Sequence, residues 1–344
     1  MSVSLEKIAE MMKVSVSTVS RALSGMPGVS EAKKEKIIEL ANKLGYAPNV
    51  QASLLRTGKG RGLAILTRIN PSEISAVRNS VLFRLGKKAF GSIRVIVLSE
   101  NNELNGAIQQ IVSEKYLAVI VSTHVEKISP ENIELLKARK IPLTSIDADY
   151  EGFDSALINR ENGTFQAARM LILSGCKNPV FYCNASKNNP DERLSGIMKA
   201  FKSLGKSTDE INLAPFAGTS SFEAGYKITN EVLKTRHVDG IFCYNDNLAL
   251  GTLRALHKAG IRVPEEVKVI GFDNIPVSEH LPVSLTTVAQ PVEELAEAAL
   301  EMTLDKLENF DREARKIYLP AKLLVRESAP INSYDLREKI FETP

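Results

Sequence analysis

Cysteine is scarce in these 344 residues: Cys176, Cys183 and Cys243 are all there is, each in largely apolar company. An odd number without paired spacing excludes a disulfide framework and a metal cluster, so buried reduced thiols are expected. Histidine is as sparse. His124, His237, His257 and His280 stand apart, and an isolated histidine is ordinarily a surface or core residue rather than a base or a ligand. The chain lacks an early apolar segment of the signal-peptide kind and any run long enough to cross a bilayer. Gly58-Lys-Gly-Arg-Gly62 lacks the spacing and the Ser/Thr of a phosphate-binding loop and suits a linker better. Neither an enzyme nor a metal or other cofactor is expected. The protein should be cytoplasmic, with no membrane partner.

What is present is unevenly distributed. A chain of this length is too long for one compact core and suggests two or three folding units. Residues 1–60 carry nine Lys/Arg against five Glu, whereas the remainder is close to neutral, with 35 basic and 36 acidic residues. A basic head on a neutral body fits an anionic partner at one end only.

Within that head, Leu5, Ile8 and Ala9 lie at i, i+3, i+4 behind Ser4, a short apolar helix face with an N-cap. Ser15 reads as a second N-cap, and Val19, Ala22 and Leu23 repeat the spacing. Val16, Ser17, Ser20 and Arg21 are left toward the outer side. Two short helices joined by a tight turn describe a helix-turn-helix, whose second helix meets base edges near its start. Ser17, Thr18 and Arg21 have suitable chemistry, hydroxyls and a guanidinium for base edges or phosphate. A hairpin with a merely solvated polar face would score as well. Ser30 then caps a third helix bearing Ile37, Ile38, Ala41 and Leu44, with Lys33, Lys34 and Lys36 available to phosphates and Gly45 as its stop.

From Gly62 onward, short apolar runs alternate with helical stretches. Strands are expected at Leu63–Leu66, Ile93–Leu98, Leu117–Val121, Pro142–Ile146, Val180–Cys183, Val238–Tyr244, Val267–Phe272 and Leu285–Val288. Continuous β-branched runs between amphipathic helices indicate parallel sheets covered on both faces, and two such sets in succession indicate two doubly wound lobes. Ligands of open α/β sheets sit outside the carboxyl ends of the strands. Polar residues collect there: Asp147, Asn245-Asp246, Asp273-Asn274 and Gln290, with Arg193 opening a helix nearby. Each alone could cap a turn, or, for Arg193, pair with Asp191 or Glu192. Together they offer the bidentate hydrogen bonds that a polyhydroxylated ligand needs.

Val14-Ser15, Thr18-Val19-Ser20-Arg21, Val29-Ser30, Gly45-Tyr46, Pro48-Asn49, Ala52 and Leu55, in that order, resemble the lac repressor/gal repressor family of bacterial transcription regulators. The resemblance extends over residues 3 to about 328. It implies an N-terminal all-α helix-turn-helix headpiece over 1–48, a hinge helix and linker over 49–61, and a two-lobe periplasmic-binding-protein-like α/β core over 62–344. The first lobe is expected to span about 62–160 and 290–322, the second about 161–289 and 323–344. It also implies DNA contacts through Ser15, Val16, Ser17, Thr18, Arg21, Ser30, Tyr46, Asn49, Ala52, Leu55 and Arg56, with Leu55 wedging a base step. The effector contacts it implies are Asn70, Asp147, Arg193, Phe222, Asn245, Asp273 and Gln290.

The expected function is a sequence-specific DNA-binding regulator, a repressor by the family norm, controlled by a sugar or related metabolite and paired as a homodimer on operator DNA. A transport binding protein would share the two lobes but would need an export signal and no DNA-binding head. Two departures bear on the ligand. Asn70-Pro71 is followed by Ser72-Glu73, and Ser220 holds a second position, where the family carries aromatics; an unusual, smaller or charged effector stays open. Met12-Lys13 replaces the common Ala-Gly of the turn, a costlier choice if φ there is positive.

Overall fold

The computed structural model describes residues 5–23, 29–44, 61–68, 72–99, 103–122, 127–331 and 333–341. Among the described residues the head holds three helices, α1 (Leu5–Met12), α2 (Val16–Leu23) and α3 (Glu31–Lys43). Ile8, Ala9, Val19, Ala22, Ile37 and Ala41 form its small buried core, the expected apolar faces meeting one another. The turn between α1 and α2 runs through Lys13 at φ 50°, so the lysine stands where glycine would be unstrained. Val14 N–H closes the turn onto Ala9 C=O at 3.0 Å.

The larger part follows in chain order: β1 (Arg61–Arg68), α4 (Glu73–Phe90), β2 (Ile93–Leu98), α5 (Glu103–Ser113), β3 (Tyr116–Val121), α6 (Pro130–Ala138), β4 (Leu143–Ile146) and β5 (Asp154–Asn159). Next come α7 (Arg160–Leu173), β6 (Pro179–Tyr182), α8 (Glu192–Ser203), β7 (Asn212–Ala214), α9 (Phe222–Thr235), β8 (Gly240–Phe242), α10 (Asp246–Lys258), β9 (Lys268–Asp273) and β10 (Thr286–Ala289). The chain ends with α11 (Val292–Glu308), β11 (Lys316–Pro320), β12 (Lys322–Leu324) and α12 (Tyr334–Phe341).

Two six-stranded sheets result, in the orders β11-β5-β4-β3-β1-β2 and β12-β10-β9-β8-β6-β7. Every pairing is parallel except β10 with β12. Period-2 alternation divides the strands between two apolar layers. In β1, Leu63 and Ile65 face one cluster and Ala64 and Leu66 the other; in β3, Ala118 and Ile120 oppose Val119 and Val121. The second sheet repeats the division, with Phe181, Phe242 and Phe272 on one side and Val180, Ile241 and Val269 on the other.

The backbone passes between the sheets three times: from β5 into α7, from β10 into α11, and from β11 into β12 across the fully buried Ala321. Before β11, Arg312 grips the buried Asp154 with two bonds, at 2.9 and 2.6 Å, and Arg315 N–H adds a third at 2.7 Å. β5, β7, β11, β12 and α12 are not among the elements expected from the sequence; β5 is an apolar run that the strand reading passes over. The other three strands are short, and β11 is a half-exposed edge ending in Pro320, so none of these carries a sustained apolar run.

The last described helix, α12, is anchored to the core. Ile340 is fully buried, and the buried Arg169 of α7 donates to the Lys339 carbonyl, bracing the last turn of α12. Ile340→Ala should therefore destabilise the protein by about 2–5 kcal/mol, read as a lower thermal midpoint. An unchanged midpoint would mean that α12 contributes nothing to the core.

Candidate functional site

On the head, Ser15 caps α2: Thr18 N–H donates to Ser15 Oγ at 3.2 Å, and the Ser17 and Thr18 hydroxyls each lie 2.8 Å from that oxygen. Ser15, Ser17 and Arg21 are exposed, and Val16 and Thr18 half-buried. The start of α2 thus presents hydroxyls, with a guanidinium one turn on. Ser30 is exposed ahead of α3, its carbonyl accepting from Lys33 and Lys34 N–H at 2.9 Å. Tyr46, Asn49, Ala52, Leu55 and Arg56 lie outside the described residues, as does Asn70.

The second candidate is a cleft of about 850 Å³ lined from both sheets at the carboxyl ends of their strands. Asp147, Arg193, Asn245, Asp273 and Gln290 all line it, so five of the seven expected effector residues converge. Phe222 does not. It is 46% exposed and borders a separate apolar groove. The physical reason is its place as the first residue of α9: Ser220, in the preceding loop, turns to the cleft and Phe222 away from it.

Asp147 leaves β4 at φ 63°, and Asp273 and Asn274 leave β9 at φ 119° and 59°. Non-glycine residues rarely hold such angles, and clusters of them mark functional sites. Asp147 is saturated by cations: Arg78 donates to Oδ2 at 3.0 Å and Arg160 to Oδ1 at 2.5 Å. Arg160 also reaches Glu192 at 3.2 Å. Neither arginine was among the sequence candidates. The signal for Arg78 was present: Ile74, Arg78, Leu82, Gly86 and Phe90 recur every four residues as the buried stripe of α4, and an arginine on such a stripe needs a buried partner.

On the opposite side Arg193 pairs with neither Asp191 nor Glu192 among the described residues. Its guanidinium is sandwiched between the Tyr244 ring at 4.1 Å and the Phe272 ring at 4.3 Å, and its Nε is buried without a hydrogen-bond partner. Two rings fix the plane of the fork and leave its edge for a ligand. Gly196 makes this placement possible, because a Cβ there would lie 2.1 Å from Thr164 Oγ1 and hold α8 off α7. Asn245 Oδ1 caps α10 at Leu248 N–H, 2.9 Å away, and its amide donates to Ser220. Gln290 donates to Asp273 at 2.6 Å, while its own Oε1 is buried and unpartnered. Asp246, fully buried, is structural: it accepts from Ile275 N–H, Ser278 Oγ and Thr287 Oγ1 and so ties down the loop after β9.

Burial pushes the Asp273 carboxyl up to about 7, with the Asp246 charge adding to the rise and Arg193 and Gln290 opposing it. A carboxyl whose folded pKa lies above its unfolded value stabilises the fold fully below the unfolded pKa, and loses that contribution as pH rises through the folded one. Asp273 should therefore lower the thermal midpoint between pH 5 and pH 8, and Asp273→Asn should narrow that fall. Equal slopes in variant and wild type would contradict the assignment.

Residues 4–49 match the family of bacterial regulatory proteins, lacI family, and residues 168–329 match a periplasmic binding protein-like domain. The HTH-type transcriptional regulator RegA of Clostridium acetobutylicum is 28% identical over 95% of this chain and 99% of its own. The HTH-type transcriptional regulator DegA of Bacillus subtilis is 27% identical over 97% and 100%. Among solved structures, a LacI family regulator from Enterococcus faecium with bound ribose covers 79% of this chain and all of its own, at 25% identity and a TM-score of 0.66. The transcriptional regulator CelR, in complex with cellobiose, covers 95% of this chain and 99% of its own, at 24% identity and a TM-score of 0.64. With the head of one family, a core of the matching kind and relatives that run the length of both, the chain belongs to the lacI family of bacterial regulatory proteins and is a transcriptional regulator.

Proposed function

We propose that the protein is a cytoplasmic repressor, not an enzyme, that binds operator DNA through residues 1–48 and is controlled by a small polar effector in the cleft. The observation that carries this is the unsatisfied pair on residues lining the cleft, Arg193 Nε and Gln290 Oε1, between sheets that the described backbone crosses three times. Buried polar atoms ordinarily have partners, so such a set argues for a ligand. The ribose in the Enterococcus faecium relative supports a polyhydroxylated class. Asp147, Arg193, Asn245, Asp273 and Gln290 are assigned to the effector, and Asn70 with them on the family resemblance alone. Ser15, Val16, Ser17, Thr18, Arg21 and Ser30 are assigned to DNA. In the hinge (49–61), Leu55 would wedge a base step and Arg56 meet phosphate.

The working unit is a homodimer, because one helix-turn-helix makes few base contacts and a pseudo-palindrome doubles them. Two faces suit a second copy. One is the groove of about 800 Å³ beside α10, where Phe222 and Val277 are 46% and 39% exposed; the other is the edge strand β2, with Val95 and Val97 at 37% and 45%.

Operator binding should weaken steeply with salt, and Arg21→Ala should cost about 1–3 kcal/mol at the cognate sequence, read by a mobility shift. Leu55→Ala should reduce operator bending. Val277→Asp, which puts a charge into the groove, should shift sedimentation from dimer to monomer. Salt-independent binding, or a wild type that sediments as a monomer at micromolar concentration, would overturn the proposal.

A further inference from the structure

The cleft has an imbalance of chemistry beyond what an effector site requires. Each carboxylate that lines it already holds a partner on at least one oxygen. Both Asp147 oxygens hold arginines, Asp273 accepts from Gln290, Asn245 Oδ1 caps α10, Asp149 holds Lys316 at 2.6 Å, Glu192 holds Arg160, and Asp191 caps α8 at Leu194 N–H. The spare capacity is in donors. Arg193, at the start of α8, makes no hydrogen bond or ion pair with any described residue and is held flat between two rings. Arg68, at the carboxyl end of β1 on the opposite lobe, lines the same cleft and likewise has no hydrogen-bond or ion-pair partner among the described residues. Among the described residues, the cleft's buried acceptor without a partner is Gln290 Oε1, which suits a hydroxyl. Aromatic platforms for a neutral sugar ring are few: serines stand at 72 and 220, Tyr244 and Phe272 each turn a face to Arg193, and among the described residues Tyr318 is the one exposed ring on the wall.

Resting on the effector reading above, we propose that the effector is an acidic polyol, a sugar acid or a sugar phosphate, whose oxyanion is taken by Arg193 from the second lobe and Arg68 from the first. A guanidinium fork matches an oxyanion with two parallel charge-assisted bonds. An anion held from both sides also favours the closed arrangement of the lobes, because each arginine's attraction is realised only when the other is near. Asp273, buried against Arg193, Arg160, Asp246 and Gln290, is already close to half neutral at neutral pH, so it opposes an incoming anion weakly, and less as pH falls.

The test uses two matched triplets on the full-length protein at constant ionic strength: glucose, glucuronate and glucose 6-phosphate, then galactose, galacturonate and galactose 6-phosphate. Within a triplet the ring is the same and only the acid changes. A binding ligand raises the melting temperature in proportion to its occupancy. At least one acidic member should reach a given shift at a concentration roughly tenfold or more below its neutral parent, the worth of one charge-assisted contact. Carboxylate and phosphate are separated by which of the two does so. Arg68→Gln, which removes no hydrogen bond or ion pair among the described residues, should erase that preference while the ligand-free melting temperature stays put; Arg193→Gln should do so more severely. A neutral parent that shifts the melt as well as its acids overturns the acidic assignment and leaves the effector reading standing. A preference that survives Arg68→Gln and Arg193→Gln overturns the two-arginine grip. Silence from all six molecules, and from inorganic phosphate, overturns this inference and leaves the effector reading to other ligands.

Discussion

The carboxylate of Asp147 joins parts of the molecule that are distant in sequence. It ends β4 in a left-handed backbone conformation, receives Arg78 from α4, and receives Arg160 from the first residue after the β5 crossing. Arg160 in turn reaches Glu192 at the start of α8, one residue from Arg193. An ion pair this buried gains little over an apolar pair of the same shape, but removing one partner strands the other and costs about 3–5 kcal/mol. What the triad provides is position. It fixes the angle at which the crossing chain leaves the first sheet, and the cleft is built around that angle. A second crossing borders the same space at Gln290, and the third runs through the buried Ala321 in the core.

Much of this architecture was legible in the sequence, for a physical reason. The central strands are buried on both faces, so Leu63–Leu66 and Leu117–Val121 are unbroken apolar runs, which little but a covered parallel sheet produces. Edges and short strands are not constrained in that way. Asn212–Ala214 and Lys316–Pro320 are half-solvated, and β12 turns antiparallel against β10, which no local pattern announces. The cleft residues at strand ends were legible because polar residues just past an apolar run stand out. Arg78 was hidden inside a helix pattern and Arg160 behind an ordinary Asn-Arg junction; only their common partner in space gives them meaning. Phe222 shows the opposite failure, since a two-residue difference at a helix start decides which way a side chain faces. The head was legible through its apolar faces and the Ser15 cap, while Ser4 and Gly45 lie outside the described residues; Lys13 at positive φ shows the turn keeping its geometry without the usual glycine.

Function follows from joining a base-reading head to a ligand cleft whose walls are separate lobes. A ligand that contacts both walls binds one lobe arrangement more tightly than another, and it can shift the equilibrium only by that difference in affinity. On the proposed reading, the saturated Asp147 and the spare Arg193 would divide the work: the first would hold a crossing in place whatever the cleft contains, and the second would gain partners when the cleft fills. If two such cores pair through the α10 groove and β2, the separation of the two heads depends on both lobe angles, and operator affinity inherits the state of the cleft.

That coupling is reciprocal by thermodynamic necessity, which makes it directly measurable. Titration calorimetry of the cleft ligand into the full-length protein, free and then saturated with operator, gives two ligand affinities. Their ratio should differ from one and should equal the factor by which the same ligand changes operator affinity. Identical ligand affinities in the two titrations would show that cleft and headpiece are independent, and would contradict the account.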